Sequence, residues 1–207
     1  EIYTLYSSSA ASDVYKRQGV GGQGILTIAA VIDIAALNEN LHIKQSEVHG
    51  MSQRGGAVQS HVRISDQKIH SDLIPMGKAD LILSVEPMEL LRYIPYLDKN
   101  GWIITDSSTF ENIMDYPSKY DLFKQIKSYH NHIVINAKHE AKKMGNSKVA
   151  NMILLGAASS FIPMDDESMI QAIRFYFKGR STRITDMNIK AFKTGQEMAK
   201  NFIEFVF

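Results

Sequence analysis

Hydrophobic positions along the chain switch repeatedly between two rhythms, and each switch marks an element. Residues 25–37 are an apolar, alanine-rich run ended by Asn38-Glu39-Asn40. This predicts a helix apolar on most faces, covered by the sheet and by a further layer. Residues 41–48 predict a strand. Residues 57–64 alternate with period two, placing Val58, Ser60, Val62 and Ile64 on one face and His61 on the polar one. Ser65-Asp66-Gln67 predicts a turn into 68–74, so that 57–64 and 68–74 form an antiparallel hairpin.

A βα rhythm comes next. Residues 79–85 read as a buried strand, and Pro87 suits the first turn of a helix over 88–97 that Pro95 makes irregular. Residues 101–106 are the next strand, 120–129 a helix and 132–137 a strand. From Lys138 onward the pattern is helical: a short helix, then 147–161, 165–177 and 185–205. The expected fold is α/β, a mostly parallel, Rossmann-like three-layer sheet with an antiparallel hairpin and a helical C-terminal third, over residues 19–207.

Residues 1–18 do not match this rhythm. Ser7-Ser8-Ser9-Ala10-Ala11-Ser12 is linker-like, and Asp13-Val14-Tyr15-Lys16-Arg17-Gln18 is polar where a central parallel strand normally reads as a Val/Ile/Leu run. The expectation is a leader foreign to the fold or disordered; the alternative is a poor, edge-like strand that still pairs.

Composition narrows the function classes. The 207 residues are 44% hydrophobic and 22% charged, and a net charge of +1 gives no field that argues for nucleic acid. Cysteine is absent, so these residues offer no disulfide, no thiolate for an iron–sulfur cluster and no cysteine nucleophile. The longest apolar stretch, 149–164, is short of the ~18 residues of a membrane span and carries Asn151, Ser159 and Ser160. With no basic start followed by an apolar run, the reading is a cytoplasmic protein without a membrane partner.

The candidate chemistry lies in two glycine-rich stretches. Gly19-Val20-Gly21-Gly22-Gln23-Gly24 fits Gly-x-Gly-x-x-Gly and opens a helix, whose free N–H groups and dipole favour an anion. Alone it invites NAD(P) binding, but Glu47, the nearest candidate for the ribose-binding acid, begins another glycine loop. That second stretch, Glu47-Val48-His49-Gly50-Met51-Ser52-Gln53-Arg54-Gly55-Gly56, sets His49, Gln53 and Arg54 among glycines. Arg54 and backbone N–H groups could hold an anionic group or a partner's backbone, with Gln53 fixing orientation; a solvated surface turn is the plainer reading.

Other signals are weaker. His42, His49, His61 and His70 lack metal-ligand spacing, and no metal is expected. Glu86, and Asp106 with Ser107, Ser108 and Thr109, stand at strand ends, where they suit helix capping first and ligand contact second. Arg174, Lys178, Arg180 and Arg183 read as a solvated face, with a phosphate-rich ligand as the alternative. No serine stands on a nucleophile-elbow pattern.

Together the two glycine stretches resemble the gamma-type domain of 2-oxoacid:ferredoxin oxidoreductases, and most of all the beta subunit of the indolepyruvate enzymes. The resemblance runs on through Ala79-Asp80, Glu86-Pro87, Asn151 with Leu155-Gly156-Ala157, and Asn188, Ala191, Phe192 and Gly195, covering about residues 19–205. It implies a subunit, inactive alone, of an enzyme that oxidatively decarboxylates arylpyruvates or related 2-oxoacids to acyl-coenzyme A. Thiamine diphosphate and the iron–sulfur clusters would belong to a catalytic partner subunit. Coenzyme A would be co-substrate, and ferredoxin would be met through the complex. No catalytic residue is assigned to this chain. Its contact residues would be Gly19, Gly21, Gly22, Gln23 and Gly24, with His49, Gly50, Gln53, Arg54, Gly55 and Gly56. A stand-alone NAD(P)-binding dehydrogenase and a purely structural assembly module are the alternatives.

Overall fold

The strands, in chain order, are β1 (Asp13–Val20), β2 (His42–His49), β3 (Ala57–Ser65), β4 (Ala79–Ser84), β5 (Leu97–Asp106) and β6 (His132–Ile135). In the computed structural model, which describes residues 13–20, 25–49, 57–111 and 115–206, they form one six-stranded sheet in the order β2-β3-β1-β4-β5-β6. β1, β4, β5 and β6 are parallel, and β3 runs antiparallel to both β1 and β2. The sheet is α/β and mostly parallel, as its sequence rhythm implies.

Successive strand residues face opposite sides, so alternate apolar residues feed two cores. Val62, Ile64, Leu81, Leu83, Ile104, Ile133 and Ile135 enter the larger core with α1 (Ile25–Asn38) and the C-terminal helices. Ile82 and Ile103 enter the smaller one on the opposite face, with Leu90 of α2 (Pro87–Tyr93) and Ile126 of α3 (Lys119–Lys127). This gives three layers. α1 is buried along most of its length and packs on β2, α5 (Ala150–Ser159) and α6 (Asp166–Tyr176), which accounts for its nearly continuous apolar sequence. α4 (Ala137–Lys143) and the long α7 (Thr182–Val206) complete the helices, and α7 packs along α5.

Two expectations change in detail. The antiparallel hairpin is formed by β2 and β3 across the second glycine stretch, not by 57–64 with 68–74. The reason is that β3 is already paired along both edges, leaving no free edge for 68–74. That segment instead crosses the sheet face: Ile74 N–H donates to His61 Nδ1 at 3.0 Å, and Arg63 Nη1 donates to the Ser71 carbonyl at 2.8 Å. His61 is therefore on a covered face and only 4% exposed. The helix expected over 88–97 is α2 followed by one 3₁₀ turn, Ile94–Tyr96, at Pro95; β5 begins directly at Leu97.

Asp13–Val20, polar as it is, occupies an interior position in the sheet, with β3 on one side and β4 on the other. Its backbone N–H and C=O groups serve both neighbours, and that ladder does not depend on apolar side chains.

Candidate functional site

Strand register decides where the two glycine stretches lie relative to one another. Val20, the last residue of β1, pairs with Ala57, the first of β3; Gly19 pairs with Val58, which also pairs with His49 at the end of β2. The first stretch leaves β1 at this edge of the sheet, and the second joins β2 to β3 at the same edge. The strand ends that flank the two motifs, Gly19 and Val20 of β1, His49 of β2 and Ala57 of β3, are thus side by side through backbone pairing. Gly21, Gly22, Gln23 and Gly24, and Gly50, Gln53, Arg54, Gly55 and Gly56, lie outside the described residues. Gly19 and His49 are placed by their strands' backbone.

The same edge carries the C-terminal ends of β4, β5 and β6, because Gln18 pairs with Ser84, Ser84 with Thr105, and Asp106 with Ile135. Open α/β sheets place ligands at such an edge, near the point where connections diverge to either side. Here the chain leaves β1 through α1 toward β2 at one end of the sheet, while β4, β5 and β6 build outward on the other side.

This order differs from a plain dinucleotide-binding sheet in one important way. There the second strand neighbours the first, so its terminal acid reaches the ribose beside the glycine turn. Here β3 lies between β1 and β2. With ~4.8 Å between neighbouring strands, Glu47 on β2 is displaced by about two strand spacings from β1.

The acids at the strand ends are held by local hydrogen bonds. Glu86 is 1% exposed and caps α2: its Oε2 accepts from Glu89 N–H at 2.8 Å, and its Oε1 accepts from the Tyr116 hydroxyl. Ser84 Oγ closes the turn, accepting from Glu86 N–H at 3.1 Å and donating to the Glu86 carbonyl at 2.5 Å. Burial and then the bond to Glu86 push the Tyr116 phenol well above the ordinary tyrosine range, so it stays protonated and donates. Glu89, on the next turn, has its pKa raised by burial, an effect partly offset by Arg92, whose Nη1 lies 3.4 Å from Glu89 Oε1.

Asp106 is fully buried and fastens the end of β5 to the start of α4. Its Oδ1 accepts from Ser108 N–H at 2.6 Å and its Oδ2 from Lys138 N–H, in the first turn of α4, at 2.8 Å. Both acids are thus engaged in capping and turn bonds, which suits a supporting rather than a proton-transferring role. Tyr116 is the residue that sequence reasoning missed: thirty positions from Glu86, with only a polar Asp-Tyr-Pro turn around it, it carries no local signal.

One helix end joins this edge from another layer. Thr27 Oγ1, in the first turn of α1, lies 3.4 Å from the Tyr176 hydroxyl at the end of α6. At the opposite ends of these helices, Asp165 N–H donates to Glu39 Oε1 at 3.0 Å. α6 therefore runs antiparallel to α1 and ends beside the helix start that comes after the first glycine stretch. Among the described residues, no cluster of three His, Cys, Asp or Glu side chains could hold a metal, and no helix is long and apolar enough to cross a membrane.

The comparisons with known proteins agree with this architecture. The family model described as pyruvate ferredoxin/flavodoxin oxidoreductase matches residues 16–198. The indolepyruvate oxidoreductase subunit IorB of Methanothermobacter thermautotrophicus is 35% identical over 186 residues, covering 86% of this chain and 92% of its own. The gamma subunit of a keto/oxoacid ferredoxin oxidoreductase from Geobacter sulfurreducens superposes with a TM-score of 0.64 at 25% identity, covering 90% of this chain and 97% of that one. A 2-oxoglutarate:ferredoxin oxidoreductase from Magnetococcus marinus, with 2-oxoglutarate, coenzyme A and succinyl-CoA bound, shares the fold with a TM-score of 0.71 at 17% identity; 92% of this chain matches 31% of that one. Matched by the family model over most of its length, the chain belongs to the pyruvate ferredoxin/flavodoxin oxidoreductase family.

Proposed function

We propose that this chain is the small, cluster-free subunit of a cytoplasmic 2-oxoacid:ferredoxin oxidoreductase acting on indolepyruvate or a related arylpyruvate. The observation that supports this reading is the shared sheet edge, where Val20–Ala57 and His49–Val58 pairing sets the strand ends leading into the two glycine stretches side by side. The IorB relatives, similar over nearly their whole length, favour indolepyruvate among the 2-oxoacids.

In this reading the edge docks on a catalytic partner subunit and completes the entrance for substrate or coenzyme A. Thiamine diphosphate, held by the partner, supplies the carbanion chemistry of decarboxylation. The partner also holds the iron–sulfur clusters, since these 207 residues contain no cysteine. Glycines at Gly19, Gly21, Gly22, Gly24, Gly50, Gly55 and Gly56 let backbone approach the partner or ligand closely. Gln23, His49, Gln53 and Arg54 would supply the polar contacts, with the Arg54 guanidinium as the partner of an anionic group.

The test is reconstitution with the thiamine-binding partner. Arg54→Ala is expected to lower acyl-coenzyme A formation by about tenfold or more, the scale of one lost charge-assisted contact. If rate and assembly both stay unchanged, the loop assignment fails. Calorimetry of the isolated chain with NAD(H) and NADP(H) is expected to show no binding, and clear binding would return the chain to the dehydrogenase reading.

A further inference from the structure

We infer that the corner where α6 ends and α7 begins is a further docking surface, shaped for an acidic face of the partner subunit. This inference rests on the reading that the glycine edge meets that subunit. The Thr27–Tyr176 contact places the corner beside the start of α1, so one body could cover both.

Charge is concentrated here. From Arg174 to Lys193 the chain carries six basic residues and one acidic, Asp186, a net +5 in a chain whose total is +1. The remaining residues are therefore net negative by four. Lys178, Arg180 and Arg183 are exposed and make no ion pair among the described residues. Between and beside these basic residues stand three exposed large apolar side chains, Phe175 at 63% exposure, Tyr176 at 38% and Ile184 at 39%. Exposed aromatic residues together with arginine are the composition enriched at protein interfaces.

The corner is also preformed. Gly179 takes φ +92°, a left-handed turn, and Arg180 N–H donates to the Phe177 carbonyl at 2.9 Å. Lys178 and Arg180 are thereby held on either side of a fixed turn, and the Tyr176 and Phe177 rings meet edge to face at 5.1 Å. Little ordering remains to be done on binding.

The experiment is calorimetric titration of the full chain into the partner subunit at low and moderate salt, with thermal melts verifying that each surface variant is folded. The wild-type affinity is expected to fall steeply with salt. Arg180→Glu with Arg183→Glu is expected to weaken binding by about tenfold or more and flatten that dependence, and Phe175→Ala to weaken binding at both salts. A matched reversal on the opposite face of the sheet, Lys119→Glu with Lys124→Glu on α3, should leave affinity unchanged.

Equal binding by the corner variants and wild type would overturn this proposal while leaving the docking of the glycine edge intact. An equal loss from the α3 reversal would also overturn it, since net charge alone would then suffice. A wild-type chain that fails to bind the partner at all would overturn the functional reading itself, and this corner with it. Sedimentation of the chain alone should show a monomer; a dimer abolished by Phe175→Ala would assign the corner to a second copy instead.

Discussion

Gly156 and Gly195 oppose one another where α5 crosses α7, and neither leaves room for a methyl group. A Cβ on Gly156 would overlap the carbonyl of Phe192, and one on Gly195 would overlap the carbonyl of Ile153. Both obstacles are backbone, which cannot turn aside as a side chain does. Alanine in a helix normally gains about 0.8–1 kcal/mol over glycine. Here each Gly→Ala change should instead lose about 2–3 kcal/mol, because the helices must part and the packing around Phe192 loosens. The double variant should lose less than the sum, since one separation relieves both clashes. Urea denaturation of the three variants measures this; a neutral or stabilising G156A would show that the helices do not approach so closely.

The Glu86–Tyr116 bond should be a significant tie in the region of the glycine edge. It links the cap of α2 to a segment thirty residues on, and Glu86 is nearly fully buried. Tyr116→Phe is expected to cost about 1.5–3 kcal/mol, the range for a hydrogen bond to a charged group. Because the phenol is pushed up, its folded pKa exceeds the unfolded one. The stability it confers is fully present below the ordinary tyrosine value of about 10 and is lost as pH rises through the folded value. Absorbance titration should show a late tyrosine component in the wild type, and Tyr116→Phe should reduce it while leaving the share of Tyr93, whose phenol is also pushed up by burial.

Glu89 gives a pH dependence at the acid end. Burial raises its pKa above the ordinary glutamate range, with Arg92 opposing the shift. The folded state thus binds the proton more tightly than the unfolded chain. Its contribution to stability is greatest below the unfolded value and declines as pH rises through the raised one. Glu89→Gln should flatten this decline and leave the protein at least as stable at neutral pH. Denaturation at several pH values across that window checks the sign; a steeper loss of stability with rising pH in the variant would contradict it.

Much of the sheet is legible in the sequence because its β4–β6 strands and α1 are apolar in the right period, and Pro87 and Pro95 mark real boundaries. What the pattern does not carry is strand order. Residues 57–64 alternate in the way a hairpin strand does whichever neighbour it pairs with, so the choice of β2 and β1 over 68–74 lies in tertiary register. β1 is obscured for the opposite reason: its polar residues conceal a strand that is specified by backbone ladders on both sides. Gly156 and Gly195 are visible as part of a family pattern, while their physical reason, the close crossing of α5 and α7, needs the helices in place. The two glycine stretches can be seen, but that the strands leading into them end side by side depends on Val20 pairing with Ala57. Tyr116 lies at the far limit of legibility, since nothing near it in sequence points to Glu86.

His61 supplies the last prediction. Its Nδ1 accepts from Ile74 N–H at 3.0 Å, and its ring meets Tyr96 edge to face at 5.7 Å. Together with Arg63 and the Ser71 carbonyl, this holds 68–76 across the sheet face in place of a ladder. His61→Phe keeps a ring against Tyr96 but leaves the Ile74 N–H without its acceptor, at a cost of about 1–3 kcal/mol. His61→Ala should cost more, since it also opens a cavity beneath Ile74. Both should accelerate tryptic cleavage at Lys68 before the rest of the chain is cut, with His61→Ala the faster. Cleavage there at the wild-type rate in both variants would mean that the segment is fastened by something other than His61.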